Sequence, residues 1–376
     1  MERVTDVVIV GGGVIGCAIA YYLRTWGREV TVLERGEIGG QASSAAAGLL
    51  APLGPLSGPG PFADLLLSGF ALLSSLVPQL EEVSGMHLDY EQTGALRLVR
   101  NPRRVAHLQK RMEAWRPLGL QMHWLSGEEA RRREPLLAPD VCAAVYAPEE
   151  AQIDATQVVK AFAQAARKAG AQLYSHVEVV GLQQHNSRIT GVTLSQNARM
   201  ECNYLVVTAG AWAAHCAEWL GLALPVSPLR GQMLSLHQPS PPLRHIIFGE
   251  AAYLAPKGEH IFVGATKEDT GFDTQVTEEG ISWLRATAAR LAPALEQSRI
   301  EKMWAGLRPK TPDTRPILGP VPNFENVALA TGHNSVGIML SAITGQTIAE
   351  YVATGHIPDL IRPFSLERFT APHITS

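Results

Sequence analysis

Asp6-Val7-Val8-Ile9-Val10, a short apolar run of strand character, leads directly into Gly11-Gly12-Gly13-Val14-Ile15-Gly16. Residues 17–23 follow with helical spacing. Strand, glycine turn and helix in that order restrict this part of the chain to a βαβ unit. Gly11, Gly13 and Gly16 fill the three glycine places of a dinucleotide fingerprint. The first permits the tight turn, the second lets a pyrophosphate approach the backbone, and the third lets helix and strand pack closely. A second strand, residues 29–33, ends at Glu34, 18 residues after Gly16. A carboxylate at that distance takes ribose hydroxyls and argues against a 2′-phosphate. The pattern predicts a bound adenine dinucleotide.

With 376 residues the chain is long enough for two domains and a large core. A net charge of −3 gives no basic field for nucleic acid or for an anionic membrane. Cys17, Cys142, Cys202 and Cys216 make no C-x-x-C pair, so reduced thiols in a cytoplasmic protein are expected. No metal-ligand spacing stands out. The N-terminus lacks the charged region and cleavage site of a signal peptide. Residues 62–80 are the one membrane candidate. They contain Asp64 and Pro78, and their apolar positions repeat at helical spacing, which predicts a buried amphipathic helix rather than a span.

Further along, residues 52–61 read as an irregular loop and residues 89–99 as a strand with alternating faces. Residues 102–121 and 154–170 read as helices. Strands are expected at 172–174, 178–183, 189–195 and 204–208. Leu205-Val206-Val207 runs into Thr208-Ala209-Gly210, and Val327-Ala328-Leu329-Ala330 runs into Thr331-Gly332 before a helix expected over 336–351. Both are strands ending in small-residue turns, as at a cofactor. Residues 231–236, 253–255 and 261–264 have instead the texture of antiparallel strands. Two interleaved domains follow. Residues 1–77, 148–222 and 308–366 are expected to form the cofactor domain, and 78–147 and 223–307 a sheet-rich substrate domain. The late return of a strand-turn-helix favours a long cofactor such as FAD, whose far ring needs its own cradle. A helix N-terminus there would stabilise the charge that reduction places on the ring.

These residues resemble a known family. The segments that carry the likeness are the glycine turn with Glu34-Arg35, Ser43-Ser44-Ala45-Ala46-Ala47-Gly48, and Arg230-Gly231-Gln232-Met233. They continue with Gly264-Ala265-Thr266 and Gly271-Phe272-Asp273, Trp304-Ala305-Gly306-Leu307-Arg308-Pro309, and Gly332-His333 with Gly337-Ile338. Together they are similar to the FAD-dependent D-amino-acid oxidase superfamily, closest to its glycine oxidases of the thiazole-biosynthesis type. The likeness implies an α/β fold with a glutathione-reductase-type Rossmann domain interleaved with an antiparallel-sheet-rich substrate domain. It implies non-covalent FAD, a small amino acid or amine as substrate, and oxygen as acceptor. The activity it implies is oxidative deamination of glycine, sarcosine or small D-amino acids with release of hydrogen peroxide. No nucleic acid and no stable membrane insertion are expected, and a homo-oligomer stays open. So does a dehydrogenase passing electrons to a quinone or carrier.

The resemblance also assigns residues. Arg308 matches the arginine that holds the substrate carboxylate; a planar guanidinium suits that task. Tyr253 matches a substrate-holding tyrosine. Gly11, Gly13, Val14, Ile15, Gly16, Glu34 and Arg35 are assigned to the cofactor's adenosine diphosphate half, with Val179 at its adenine end. Ala42, Ser43, Ala47, Gly48, Leu49, Gly210, His333, Asn334, Ser335, Val336, Gly337 and Ile338 complete the cofactor set. The flavin does the chemistry, and no side chain is assigned as a catalytic base. Three positions depart from the family pattern: Ser335 replaces an arginine, Ala251 a histidine and Lys267 a methionine. Lys267 is expected either to restore part of the lost charge or to accompany a substrate other than glycine.

Overall fold

The computed structural model describes residues 3–369, so residues 1 and 2 of the expected cofactor domain lie outside it. In chain order the strands are β1 (Arg3–Val10), β2 (Val30–Leu33), β3 (Leu49–Leu50), β4 (Ala95–Val99), β5 (His123–Ser126), β6 (Ala143–Ala147) and β7 (Ala151–Gln152). Then come β8 (Gln172–Tyr174), β9 (Val179–His185), β10 (Arg188–Leu194), β11 (Arg199–Val207), β12 (Ser227–His237) and β13 (Ile246–Phe248). The last are β14 (Tyr253–Lys257), β15 (His260–Gly264), β16 (Ile300–Lys310), β17 (Ile317–Pro320) and β18 (Val327–Thr331). The helices are α1 (Val14–Thr25), α2 (Ala42–Ala45), α3 (Pro61–Ser84), α4 (Val105–Trp115), α5 (Gly127–Arg133), α6 (Ala155–Lys168), α7 (Ala213–Glu218), α8 (Glu278–Leu291) and α9 (Ser341–Thr354).

Two eight-stranded sheets carry the architecture. In the first, the order is β17-β18-β11-β1-β2-β8, with β10 and β9 folded back from β11. The pairings β8–β2–β1–β11–β18 are all parallel. Strands buried on both faces must be apolar throughout, which explains why β1 and β2 read as unbroken runs. Val7, Ile9, Val30 and Val32 face a core built with α1, α3, α6 and α9. Val8, Val10 and Leu33 face a second core with β9, β10, β11 and α7. The second sheet runs β16-β12-β15-β14-β13-β4-β6-β5 and is antiparallel except between β13 and β4. Helix α8 closes one of its faces through Ile281, Leu284, Ala288 and Leu291.

The structure adjusts three readings. The strand expected over 89–99 is confined to β4, and all five of its residues are buried rather than alternating. Its Arg97 has a buried partner in Glu150, which keeps that charge inside the sheet. The last helix begins at Ser341, not near Val336, because residues 333–340 fold as successive turns ahead of it. Helix α3 forms as expected and is longer, with Pro61 in its first turn and a left-handed Gly85 at its end. By length and apolar content it is the one described helix long enough to cross a membrane. Its face of Leu65, Leu66, Leu73, Leu76, Val77 and Leu80 is buried in the core.

Candidate active site

A cavity of about 770 Å³ runs from the carboxyl ends of the parallel strands to the face of the second sheet. Its near end is the glycine turn. Gly11 is left-handed at φ +111, and a Cβ there would stand 2.6 Å from the Thr208 carbonyl. Thr208 in turn donates its hydroxyl to the Gly11 carbonyl at 2.8 Å. The N-cap of α1 is Gly13, which offers no side chain; the Val14 N–H goes instead to Ser43 Oγ at 3.0 Å. The Gly13 and Ile15 amides donate to no group among the described residues. Bare amides at a helix N-terminus attract an anion such as pyrophosphate. Glu34 accepts the Gly12 and Gly36 amides at 2.8 and 2.9 Å, one on each carboxylate oxygen. Each oxygen keeps a lone pair for a hydroxyl.

Arg35, Ala42, Ser43, Ala47, Gly48, Leu49, Val179 and Gly210 all line this cavity. So do His333, Asn334, Ser335, Val336, Gly337 and Ile338. Gly16 is the exception. It does not reach the wall, and a Cβ there would lie 2.0 Å from the Gly11 carbonyl, so its absence of side chain serves packing. Gly337, Ile338 and Met339, in the turns ahead of the last helix, line the cavity, and their amides have no protein acceptor among the described residues. His333 is buried, its Nε2 3.1 Å from the Thr344 hydroxyl. Burial pulls its pKa down to about 3, so the ring is neutral at physiological pH.

At the far end, Arg308 on β16 and Tyr253 on β14 face the same space. Arg308 Nη1 donates to the Thr266 carbonyl at 3.1 Å and the Arg230 carbonyl at 3.5 Å. Among the described residues no carboxylate pairs with it, while burial pulls its pKa below the ordinary arginine value. Tyr253 approaches Met233 Sδ at 3.6 Å, and burial pushes its hydroxyl up to about 12 against the pull of Arg308. Ala251, Lys267 and Ser335 line the cavity too, so the three departures fall where a ligand would be selected.

Sequence reasoning left several neighbours unassigned. Gly231 pairs with Gly306 across β12 and β16, and a Cβ on Gly231 would lie 2.2 Å from Arg308 Nη1. Gly264 makes the same allowance for the Tyr253 hydroxyl, at 2.4 Å. Both glycines lie in the segments that carry the family likeness, yet cross-strand neighbours are invisible without register. Trp212 lines the near end with the Arg35 guanidinium 4.2 Å above its ring, and Phe272 stacks on it. The indole of Trp304 donates to the Ala45 carbonyl at 3.0 Å and ties the second sheet to the 42–49 loop.

The bare amides, the glycine cradle and a cavity extending well beyond a nucleotide end fit a long dinucleotide. Parallel sheet, glycine turn and adjoining antiparallel sheet define a two-sheet dinucleotide-binding enzyme. The sequence matches the FAD dependent oxidoreductase family over residues 6–351, and the chain belongs to that family of FAD-dependent enzymes. It is 35% identical to the glycine oxidase of Geobacillus kaustophilus, over 96% of this chain and 97% of that one. It is 36% identical to the bifunctional protein ThiO/ThiG of Synechocystis, over 98% of this chain and 55% of the longer one. The crystal structure of the Geobacillus kaustophilus glycine oxidase superposes with a TM-score of 0.93 at 33% identity, covering 98% of this chain and 99% of that one.

Proposed function

We propose that this enzyme oxidises glycine or a small related amine, such as sarcosine or a small D-amino acid, to the imine and on to the 2-oxo acid. The observation that carries the reading is Arg308: a guanidinium in the cavity whose hydrogen-bond partners are backbone carbonyls. Such a group is completed by a substrate carboxylate, with two charge-assisted hydrogen bonds. The relatives named glycine oxidase support the substrate class, and the ThiO/ThiG relative supports use of the imine in thiazole synthesis.

FAD, held without a covalent link, would supply a two-electron acceptor for amine oxidation, with oxygen as the final acceptor and hydrogen peroxide as the product. Gly13, Ile15, Glu34 and Arg35 would hold its adenosine diphosphate half, and Ser43, Gly48 and residues 333–338 would hold its ring. Arg308 fixes the carboxylate and Tyr253, neutral at working pH, donates a hydrogen bond beside it. Positioning of this kind is worth several kcal/mol, up to about 7–11. His333 takes no proton, because its neutral ring is buried against Thr344. The division of the chain at 77/78, 147/148, 222/223 and 307/308 belongs to this reading; it is supported by the strands of each sheet falling within those segments, apart from the last residues of β16. A cytoplasmic site of action is supported by four unpaired cysteines.

A visible spectrum of the purified protein under argon tests the proposal, with glycine and then sarcosine added, followed by air. Bleaching and recovery with peroxide are expected, and the faster amine is the better substrate. Bleaching with slow recovery in air identifies a dehydrogenase. A yellow protein that neither amine bleaches rejects the substrate reading.

A further inference from the structure

We propose that His237, His260 and Glu301 form a binding site for a divalent transition-metal ion of the zinc, nickel and cobalt class, at the end of the second sheet remote from the cavity. The three side chains come from three adjacent strands. His237 closes β12 and His260 opens β15, and the two are direct partners in the antiparallel register. Opposed residues share a face, so the imidazoles stand side by side. Glu301 lies on β16, the other neighbour of β12.

A β-bulge brings the third ligand in. Ser235 pairs with Lys302, but Leu236 pairs with Ile300, so Glu301 is the extra residue on its strand. In regular register Glu301 would oppose Leu236, whose side chain faces away from that of His237. The bulge re-aims the carboxylate toward the two histidines, a common use of this irregularity. Glu301 Oε1 lies 3.6 Å from His237 Nδ1, and one ligand atom from each of the three residues lies within 4.8 Å of the others. Tetrahedral ligands at 2.0–2.1 Å from zinc stand roughly 3.4 Å apart, so small rotamer changes suffice. His260 Nδ1 is buried with no hydrogen-bond partner, an orphan that a metal or its bound water would satisfy.

The donor set chooses the ion. Two imidazoles and one carboxylate suit zinc, nickel or cobalt, whereas magnesium and calcium demand oxygen. Arg299 donates twice to Glu301 Oε1, at 2.6 and 3.0 Å, which orients the carboxylate and leaves Oε2 to a metal. Its charge opposes the cation, so modest affinity is expected. Gly231, beneath Arg308, is six residues from His237 along β12, roughly 20 Å. The ion would therefore join strand ends, with no place in amine oxidation.

Chelator-treated, FAD-loaded protein tests this by titration calorimetry with Zn2+ and Ni2+, alongside the unfolding temperature. One ion per chain should bind, raising the Tm by about 5 °C when the ion is 100-fold above its Kd. Mg2+ and Ca2+ should not compete. His237→Gln and Glu301→Gln, at side chains that solvent reaches, should each weaken binding at least tenfold with the circular dichroism unchanged. Absence of saturable binding overturns the proposal. So does binding that both variants leave intact, since the ion would then sit elsewhere, for example on Cys142.

Discussion

Arg308 gains its place from a residue with no side chain. Its guanidinium occupies the volume that a Cβ on Gly231 would claim. Arg308→Ala should lower kcat/KM for glycine or sarcosine by about 10- to 150-fold, the worth of hydrogen bonds to a charged group. Gly231→Ala should reproduce much of that loss with Arg308 intact, while the Kd for FAD stays near its original value. Steady-state kinetics and flavin titration separate the two effects; an unchanged KM in Gly231→Ala would mean the guanidinium has another resting place. Arg308 itself was legible in the sequence because it stood in a specific motif beside apolar residues. The two glycines that make room for Arg308 and Tyr253 were legible only as letters. Their reason lies in β12–β16 and β14–β15 register, which pairs 75 residues apart, as Gly231 and Gly306 are, or 11 apart, as Tyr253 and Gly264 are, do not announce.

Elements with strong local signals matched their expectations. The glycine turn fixed β1, α1 and β2, and Asp154, accepting the Thr156 and Gln157 amides, fixed the start of α6. Two elements with weak local signals did not. Helix α9 starts five residues late because the turns before it line the cavity and leave the Gly337, Ile338 and Met339 amides without a protein acceptor among the described residues. Strand β4 lost its predicted alternation because Arg97, polar by type, is buried. Its guanidinium makes two hydrogen bonds to Glu150, at 2.6 and 2.8 Å. Glu150 Oε1 also accepts the Leu53 amide at 3.1 Å, and so pins the loop whose Gly54 and Pro55 line the cavity. Removing one partner of a buried pair strands the other charge, at about 3–5 kcal/mol. Glu150→Ala should therefore lower the Tm by on the order of 5–10 °C. Arg97→Met combined with Glu150→Leu should recover part of that loss in the same melting experiment. Recovery would show that the stranded charge, rather than the missing contacts, is responsible.

At the scale of the whole molecule, one buried ring couples stability to pH. His333 sits where the last strand of the parallel sheet turns toward α9, between two cores and the cavity. Its ordinary pKa of 6.5 is pulled to about 3 by burial alone. Between those values the unfolded chain binds a proton that the folded protein refuses. Stability is therefore complete above pH 6.5 and is lost as the pH falls toward 3. At pH 5 the loss is about 2 kcal/mol, from a gap of roughly 1.5 pH units at 1.36 kcal/mol each. His333→Gln keeps a polar side chain near Thr344 and removes the titration. Its Tm at pH 7.5 should be lower than that of the parent, since packing is disturbed. Between pH 6.5 and 4.5, however, its Tm should fall less steeply than the parent's, measured with both proteins FAD-loaded. Parallel slopes would mean that the acid sensitivity comes from other groups: against the upward push of burial, hydrogen bonds from Thr266, Arg230 and Gln232 hold Glu268 below the usual carboxylate range, and Arg368 with the Arg315 amide does the same for Asp313. Those carboxylates lose their stabilising charge only as the pH falls through the carboxylate range. The interval from 6.5 down to about 5 therefore belongs to the histidine and separates the two contributions in a single series of melts.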